Sequence, residues 1–275
     1  MKNMEVYVLD TGYLAQDKST LIAGLRMGTI NDQTPAAIWT HTPVYAVLIK
    51  HPDGNVLFDT SCNPKSMTER WPEGFKITNP YYVTDDSTLP ARLEQLKVSP
   101  KDIKYVVMSH MHLDHAGCLE MFTDSEIIVH EDEFTQCMKK YALNKDMGVY
   151  IWKDLDAQIK NNLNWNLFSS QTEKVELMKG LTIYNFGSGH SYGMLGLLVE
   201  LPSSGNILLV ADAIYTQTNF GPPLRMPGIL YDSIGVAATI EKIRDLAKEK
   251  NATIWFGHDA EQFASLIKST EGCYE

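Results

Sequence analysis

Three histidines and an aspartate fall within six residues in the run His110-Met111-His112-Leu113-Asp114-His115. Imidazole and carboxylate are the usual ligands of zinc and need no thiolate help. In a nearly extended segment residues two apart face the same way, so His110 and His112 can share one ion. The adjacent Asp114 and His115 diverge and suit a second. Ala116-Gly117 follows, where the backbone has to turn closely. Two ions need further donors. His190, between Gly189 and Ser191, is the best third ligand for the first ion, and His258, in Phe256-Gly257-His258-Asp259, for the second. Asp212 can bridge, since a carboxylate has two oxygens to give. Such a set leaves positions open to water, which marks a catalytic rather than a structural site.

These residues need elements to hold them. Val44–Ile49 and Val56–Phe58 read as strands joined by His51-Pro52-Asp53-Gly54-Asn55, a hairpin signal. Leu89 to Leu96 has helical spacing after Pro90, and Ser99-Pro100-Lys101-Asp102 starts a short helix. Tyr105–Met108 is a strand running directly into the histidine cluster. Ile127–Val129, Leu181–Phe186, Leu195–Leu201, Ile207–Val210 and Thr253–Phe256 are further strands, and Ile234 to Lys248 is an amphipathic helix. His130 opens an acidic-fronted helix, where a capping role is expected. Asp59, His110, His190, Asp212 and His258 each sit at or just past the C-terminal end of an expected strand, so the loops can bring them to one rim. Strands mixed with helices throughout indicate a layered α/β or α+β fold.

Composition narrows the function. The chain has 275 residues, an ordinary globular balance of 44% apolar and 21% charged, and no linker that divides it, so one domain spanning 1–275 is expected. A net charge of −10 argues against nucleic acid as a partner. No apolar run approaches a membrane span, and the first residues lack a signal peptide's apolar stretch, so a cytoplasmic location away from membranes is expected. Cys62, Cys118, Cys137 and Cys273 form no CxxC pair and read as free thiols. His41 and His51 read as solvated or hydrogen-bonded. Leu25, Met27, Trp71, Phe75 and Phe220 lie in segments that can cover a pocket rim, but core packing explains most of them equally well.

At this level of detail the chain resembles the metallo-β-lactamase superfamily, on His110-Met111-His112-Leu113-Asp114-His115, Gly189-His190, Asp212 and Gly257-His258. It further resembles the dinuclear-zinc N-acyl homoserine lactone lactonases. That likeness rests on Thr42-Pro43-Val44-Tyr45, Leu57-Phe58-Asp59-Thr60, Asp212-Ala213-Ile214-Tyr215 and Phe263 to Ser269, and runs from about Val6 onward. The resemblance implies an αββα sandwich with metals at one edge. It implies two zinc ions, the first on His110, His112 and His190, the second on Asp114, His115 and His258, with Asp212 bridging. It assigns Tyr215 to the substrate's carbonyl or ring oxygen, and Asp59 to orienting a ligand histidine. The superfamily usually reads Asp-Thr-Gly where this chain has Asp59-Thr60-Ser61, a departure that bears on the turn and not on the ligands.

The expected chemistry is hydrolysis of a lactone by attack of a metal-bridging hydroxide, with Tyr215 aiding the oxyanion and Asp114 or Asp212 shuttling the proton. The acyl homoserine lactone is the expected small-molecule substrate. Two other classes stand beside it: another hydrolase on this scaffold, for a different lactone or a glyoxalase II-like thioester, and a metal-holding sensor without turnover. About 17 residues follow His258, too few for the helical glutathione domain of glyoxalase II enzymes. The missing secretion signal counts against a β-lactamase.

Overall fold

Alternation along the strands decides which way each layer faces. The computed structural model describes residues 4–275. In chain order the elements are β1 (Glu5–Asp17), β2 (Trp39–Lys50), β3 (Asn55–Phe58), α1 (Glu73–Thr78), β4 (Tyr81–Tyr82), α2 (Leu89–Gln95), β5 (Ile103–Val107), β6 (Glu126–His130), α3 (Glu131–Leu143), α4 (Trp152–Lys160) and β7 (Asn164–Phe168). The chain continues through β8 (Lys174–Met178), β9 (Leu181–Gly187), β10 (Met194–Val199), β11 (Asn206–Ala211), α5 (Gln217–Phe220), α6 (Ser233–Lys250), β12 (Ala252–Phe256) and α7 (Ala260–Ser265).

Seven strands form one sheet in the order β4-β1-β2-β3-β5-β6-β7, and five form a second in the order β12-β11-β10-β9-β8. Val47 and Ile49 of β2, Val107 of β5 and Ile128 of β6 face the second sheet, meeting Leu195, Leu197, Ile207 and Leu209 in a fully apolar interlayer. Their neighbours Ala46, Leu48, Val106, Ile127 and Val129 face outward, under Leu89 and Leu93 of α2, Cys137 of α3 and Leu155 of α4. On the far side, Leu208 and Val210 of β11 meet Val236, Ile240 and Ile243 of α6, spaced four and three apart on one helical face. Helices therefore cover both outer faces, and the expected αββα sandwich is the fold found. The four cysteines are free thiols. Among the described residues no helix is long and apolar enough to cross a membrane.

The expected hairpin is an antiparallel pair, with Val47 opposite Phe58 and Ile49 opposite Val56. His130 caps α3 by accepting the Asp132 N–H, with three acidic residues in the first turn. Elements without a clear apolar rhythm escaped the sequence reading. The longest is β1, whose pairing with β2 shifts register between Asp10 and Tyr13. Gly12 sits in that bulge at φ 96°, where an added Cβ would lie 2.2 Å from the Tyr82 carbonyl oxygen. The outer strands β7 and β8 are largely exposed, and α4 was also unforeseen.

Candidate metal centre

Strand ends from both sheets deliver the site. β3 ends beside Asp59, β5 leads to His110–His115, β9 to His190, β11 to Asp212 and β12 to His258. The cluster segment turns rather than staying extended: the His115 and Ala116 N–H groups both donate to the His112 carbonyl. Its conformation is fixed from outside. The Thr60 N–H and hydroxyl both donate to the His115 carbonyl, at 2.6 and 2.8 Å, and the Gly117 N–H donates to the Ser61 carbonyl at 2.7 Å.

Donor atoms converge in two groups that share one residue. One atom each from His110, His112, His190 and Asp212 lies within 4.8 Å of the others, and the same holds for Asp114, His115, Asp212 and His258. Asp212 Oδ2 stands 3.7 Å from His110 Nε2, 3.3 Å from His190 Nε2 and 3.4 Å from His115 Nε2, while its Oδ1 is 3.1 Å from His258 Nε2. Asp114 reaches His115 Nε2 at 3.7 Å and His258 Nε2 at 3.3 Å. Ligands about 2.1 Å from a tetrahedral ion stand roughly 3.4 Å apart, so these gaps match a coordination shell. His110 Nε2, His115 Nε2 and Asp212 Oδ1 are buried without a hydrogen-bond partner. An added Cβ at Gly257 would lie 2.4 Å from Asp212 Oδ1, so only glycine leaves that carboxylate its place. Buried polar atoms left unpaired are costly, and a cation is what this donor set fits.

Hydrogen bonds on the far side of the rings set the tautomers. Asp59 accepts from the Ser109 N–H (2.7 Å), the Ser109 hydroxyl (2.7 Å) and His115 Nδ1–H (2.8 Å), leaving His115 Nε2 free of a hydrogen bond on the cluster side. The Ser109 proton is thereby used, so its oxygen accepts from His110 Nδ1–H at 2.9 Å and His110 Nε2 is free as well. His258 Nδ1–H donates to the Pro43 carbonyl at 2.9 Å and His190 Nδ1–H to that of Ile229 at 3.2 Å. His112 meets His190 Nε2 through its Nδ1, at 2.8 Å.

Electrostatics follow from this crowding. Burial, then the neighbouring histidines, hold His110 and His112 well below the ordinary imidazole range, so both are neutral. Burial alone would lower His115 and His258 too, but the carboxylates outweigh it; Asp212 and Asp114 push His258 up to about 10. Burial opposes the Asp212 charge, yet His258, His115 and His190 carry it well below the carboxylate range. Tyr215 is buried with its ring 5.1 Å from that of His190 and 5.3 Å from that of His258. Burial and the Asp212 charge raise its phenol, which stays protonated.

All seven expected ligands, with Asp59 and Tyr215, thus lie in one place. Sequence reasoning missed Glu133. This buried carboxylate on α3 accepts from the Met111 N–H (2.9 Å), the Tyr150 hydroxyl (3.0 Å) and the Tyr192 N–H (3.1 Å), tying both ligand loops to one helix. Tyr150 in turn sets its ring edge-on against His112 at 4.9 Å. Of the rim candidates, Phe75 lines the cavity at the cluster, Trp71 is core, and Met27 is exposed. His41 stacks on Tyr13 and His51 meets the Lys179 carbonyl, both away from the donor groups. A wider cleft, lined by Tyr13, His41, Tyr82, Arg92 and Phe263, contains none of the ligands.

A two-sheet sandwich with this cluster at one edge is the arrangement of a metallo-β-lactamase-type hydrolase, and the family model described as Metallo-beta-lactamase superfamily matches residues 39–131. The chain is 44% identical to the N-acyl homoserine lactonase AiiB of Agrobacterium fabrum (strain C58 / ATCC 33970), over 98% of this chain and 99% of that protein. It is 27% identical to the N-acyl homoserine lactonase AiiA of Bacillus thuringiensis subsp. kurstaki, covering 94% of each. Among solved structures it is similar to a B. thuringiensis AiiA variant with N-decanoyl-L-homoserine bound at its active site, at 26% identity and a TM-score of 0.79, covering 99% of this chain and all of that one. The chain belongs to the N-acyl homoserine lactonase family of the metallo-β-lactamase superfamily.

Proposed function

We propose that residues 1–275 act as one hydrolase domain that opens the lactone ring of N-acyl homoserine lactones, degrading quorum-sensing signals in the cytoplasm. The observation that carries the reading is the pair of donor sets sharing Asp212, with Tyr215 beside them, in a chain 44% identical to a lactonase over nearly its whole length. We assign His110, His112 and His190 to one zinc ion, Asp114, His115 and His258 to a second, and Asp212 to both. Two such ions supply Lewis acidity, lowering the pKa of water toward neutrality and drawing electron density from a carbonyl oxygen.

The chain's own groups do the rest. Asp59 and the Pro43 and Ile229 carbonyls fix the ring angles, so the donors are in place before substrate arrives. Tyr215, protonated, donates its O–H to the carbonyl or ring oxygen, where negative charge grows as water adds to the carbonyl carbon. The ring C–O bond breaks, and the departing oxygen takes the proton that the water gave up. Asp114 and Asp212 are the carboxylates placed to carry that proton. The products are an alcohol and a carboxylic acid on one open chain, and the acid ionises, releasing a proton to solvent.

Proton release from zinc-loaded protein given an acyl homoserine lactone tests the reading. Turnover above the ~10⁴ M⁻¹s⁻¹ typical of enzyme and substrate supports it. Negligible turnover with metals bound rejects the substrate and points to another lactone or a thioester. His112→Ala and Asp212→Ala should lose both metal and hydrolysis. Tyr215→Phe should keep the metals and lose on the order of 10² in kcat.

A further inference from the structure

The cavity at the metal centre has a mostly apolar outer wall, made by Leu14, Phe75, Leu113, Val149 and Ile229. Two amides, Gln16 and Asn79, interrupt it. Gln16 lies on β1 two residues after Leu14, so both face the same way. Its side chain is held in one orientation. The Thr42 hydroxyl donates to the Leu14 carbonyl, so its oxygen accepts from Gln16 Nε2 at 3.1 Å. Gln16 Oε1 then accepts from Asn79 Nδ2 at 2.6 Å. Asn79 Oδ1 lies 2.8 Å from the Thr78 hydroxyl, whose one proton it shares with the Gly74 carbonyl at 2.9 Å.

The inventory of hydrogens leaves a remainder. Each amide nitrogen carries two, and these bonds use one of each. Gln16 is 5% exposed, so its second hydrogen has little access to bulk water. An apolar wall serving a plain alkyl chain gains nothing from a fixed Gln16 N–H, whose burial without an acceptor is costly, while the half-buried Asn79 adds a second donor at the rim. The remaining donors suit an oxygen acceptor carried by the substrate.

We propose that the Gln16–Asn79 pair is a specificity device for acyl chains that bear an oxygen, as a keto or hydroxyl group, over unsubstituted chains of the same length. The proposal rests on the lactonase reading and names the substrate class within it. A site built to hydrogen-bond a substrate oxygen discriminates against the analogue that lacks it, because its own polar groups are then left unpaired.

The test compares kcat/KM for two acyl homoserine lactones of equal chain length, one with a 3-oxo group and one without, on zinc-loaded protein. The wild type should favour the 3-oxo substrate, and Gln16→Leu should lower that preference by about tenfold. Asn79→Ala, at a less buried position, should lower it in the same direction and serves if Gln16→Leu fails to fold. A preference unchanged in both variants, or an equal loss on both substrates, overturns the proposal, since a merely structural role moves both rates together. Wild-type protein that retains zinc but hydrolyses neither substrate overturns the lactonase reading itself, and this proposal with it.

Discussion

Asp59 and Ser61 bracket a turn whose backbone no ordinary side chain favours, both at φ 61°. The glycine usual at the second position avoids that cost. Ser61 offsets it by donating its hydroxyl to Thr11 Oγ1 at 2.7 Å, which in turn donates to the Val44 carbonyl. Ser61→Gly loses the bond and the strain together and should change stability by less than about 1 kcal/mol. Ser61→Ala keeps the strain, loses the bond, and should fall about 1–2 kcal/mol below the glycine variant in urea unfolding; the reverse order would contradict this account. At Asp59, asparagine tolerates the same φ but cannot accept on both sides of its head group. Asp59→Asn should therefore loosen the His115 tautomer and weaken metal retention about 10–100-fold in chelator competition, and unchanged retention would remove Asp59 from the site.

The strut between α3 and the ligand loops belongs to the scale of elements. Glu133→Ala strands three donors in a dry interior and should cost about 3 kcal/mol or more, while Glu133→Gln keeps part of the set and should fall between. Equal stability of the two variants would show that the strut is idle. This residue also marks where sequence reading stops. The ligand cluster was legible because three of its histidines are neighbours and the remaining ligands follow strands with an unbroken apolar run. Glu133 lies 22 residues from Met111 and 59 from Tyr192, so its role exists only once α3 has packed. It reads locally as one more acid in a helix's first turn. β1 was hidden for a different reason: the Asp10-Thr11-Gly12 bulge interrupts the alternation that identifies a strand. Gln16, two turns of pleat further on, is a polar residue in a buried strand, which patterning alone cannot separate from an outward-facing one.

Over the whole molecule, the tie between α4 and the loops around the site makes stability depend on pH. Arg70 divides its charge between Glu120 at 2.6 Å and Asp154 at 3.3 Å, and Asp154 Oδ2 is buried without a partner. Burial therefore outweighs Arg70 at Asp154 and pushes its carboxyl up to about 8. A folded-state value above the unfolded one stabilises fully below about pH 4 and is lost as pH rises through about 8. Wild-type protein should lose stability across that window, by at most roughly 6 kcal/mol for about four units of displacement. Asp154→Asn should flatten that part of the slope in denaturation curves from pH 5 to 9; parallel slopes would mean that Arg70 keeps Asp154 ionised throughout.

The proposed ligands are divided by origin. Asp114, His115, His110 and His112 hang from the seven-stranded sheet, while His190, Asp212 and His258 hang from the five-stranded one. The strands pass from one sheet to the other between Phe168 and Lys174, and the C-terminal tail returns to β1, where Tyr274 bridges Val6 and Lys268 bridges Val8. Neither half owns a complete donor set, so the proposed metal centre is a clasp between them. Two fragments cut at that crossing and expressed separately should reunite on their interlayer more tightly with zinc than without it, and the clasp's strength can be read as the difference between the two affinities.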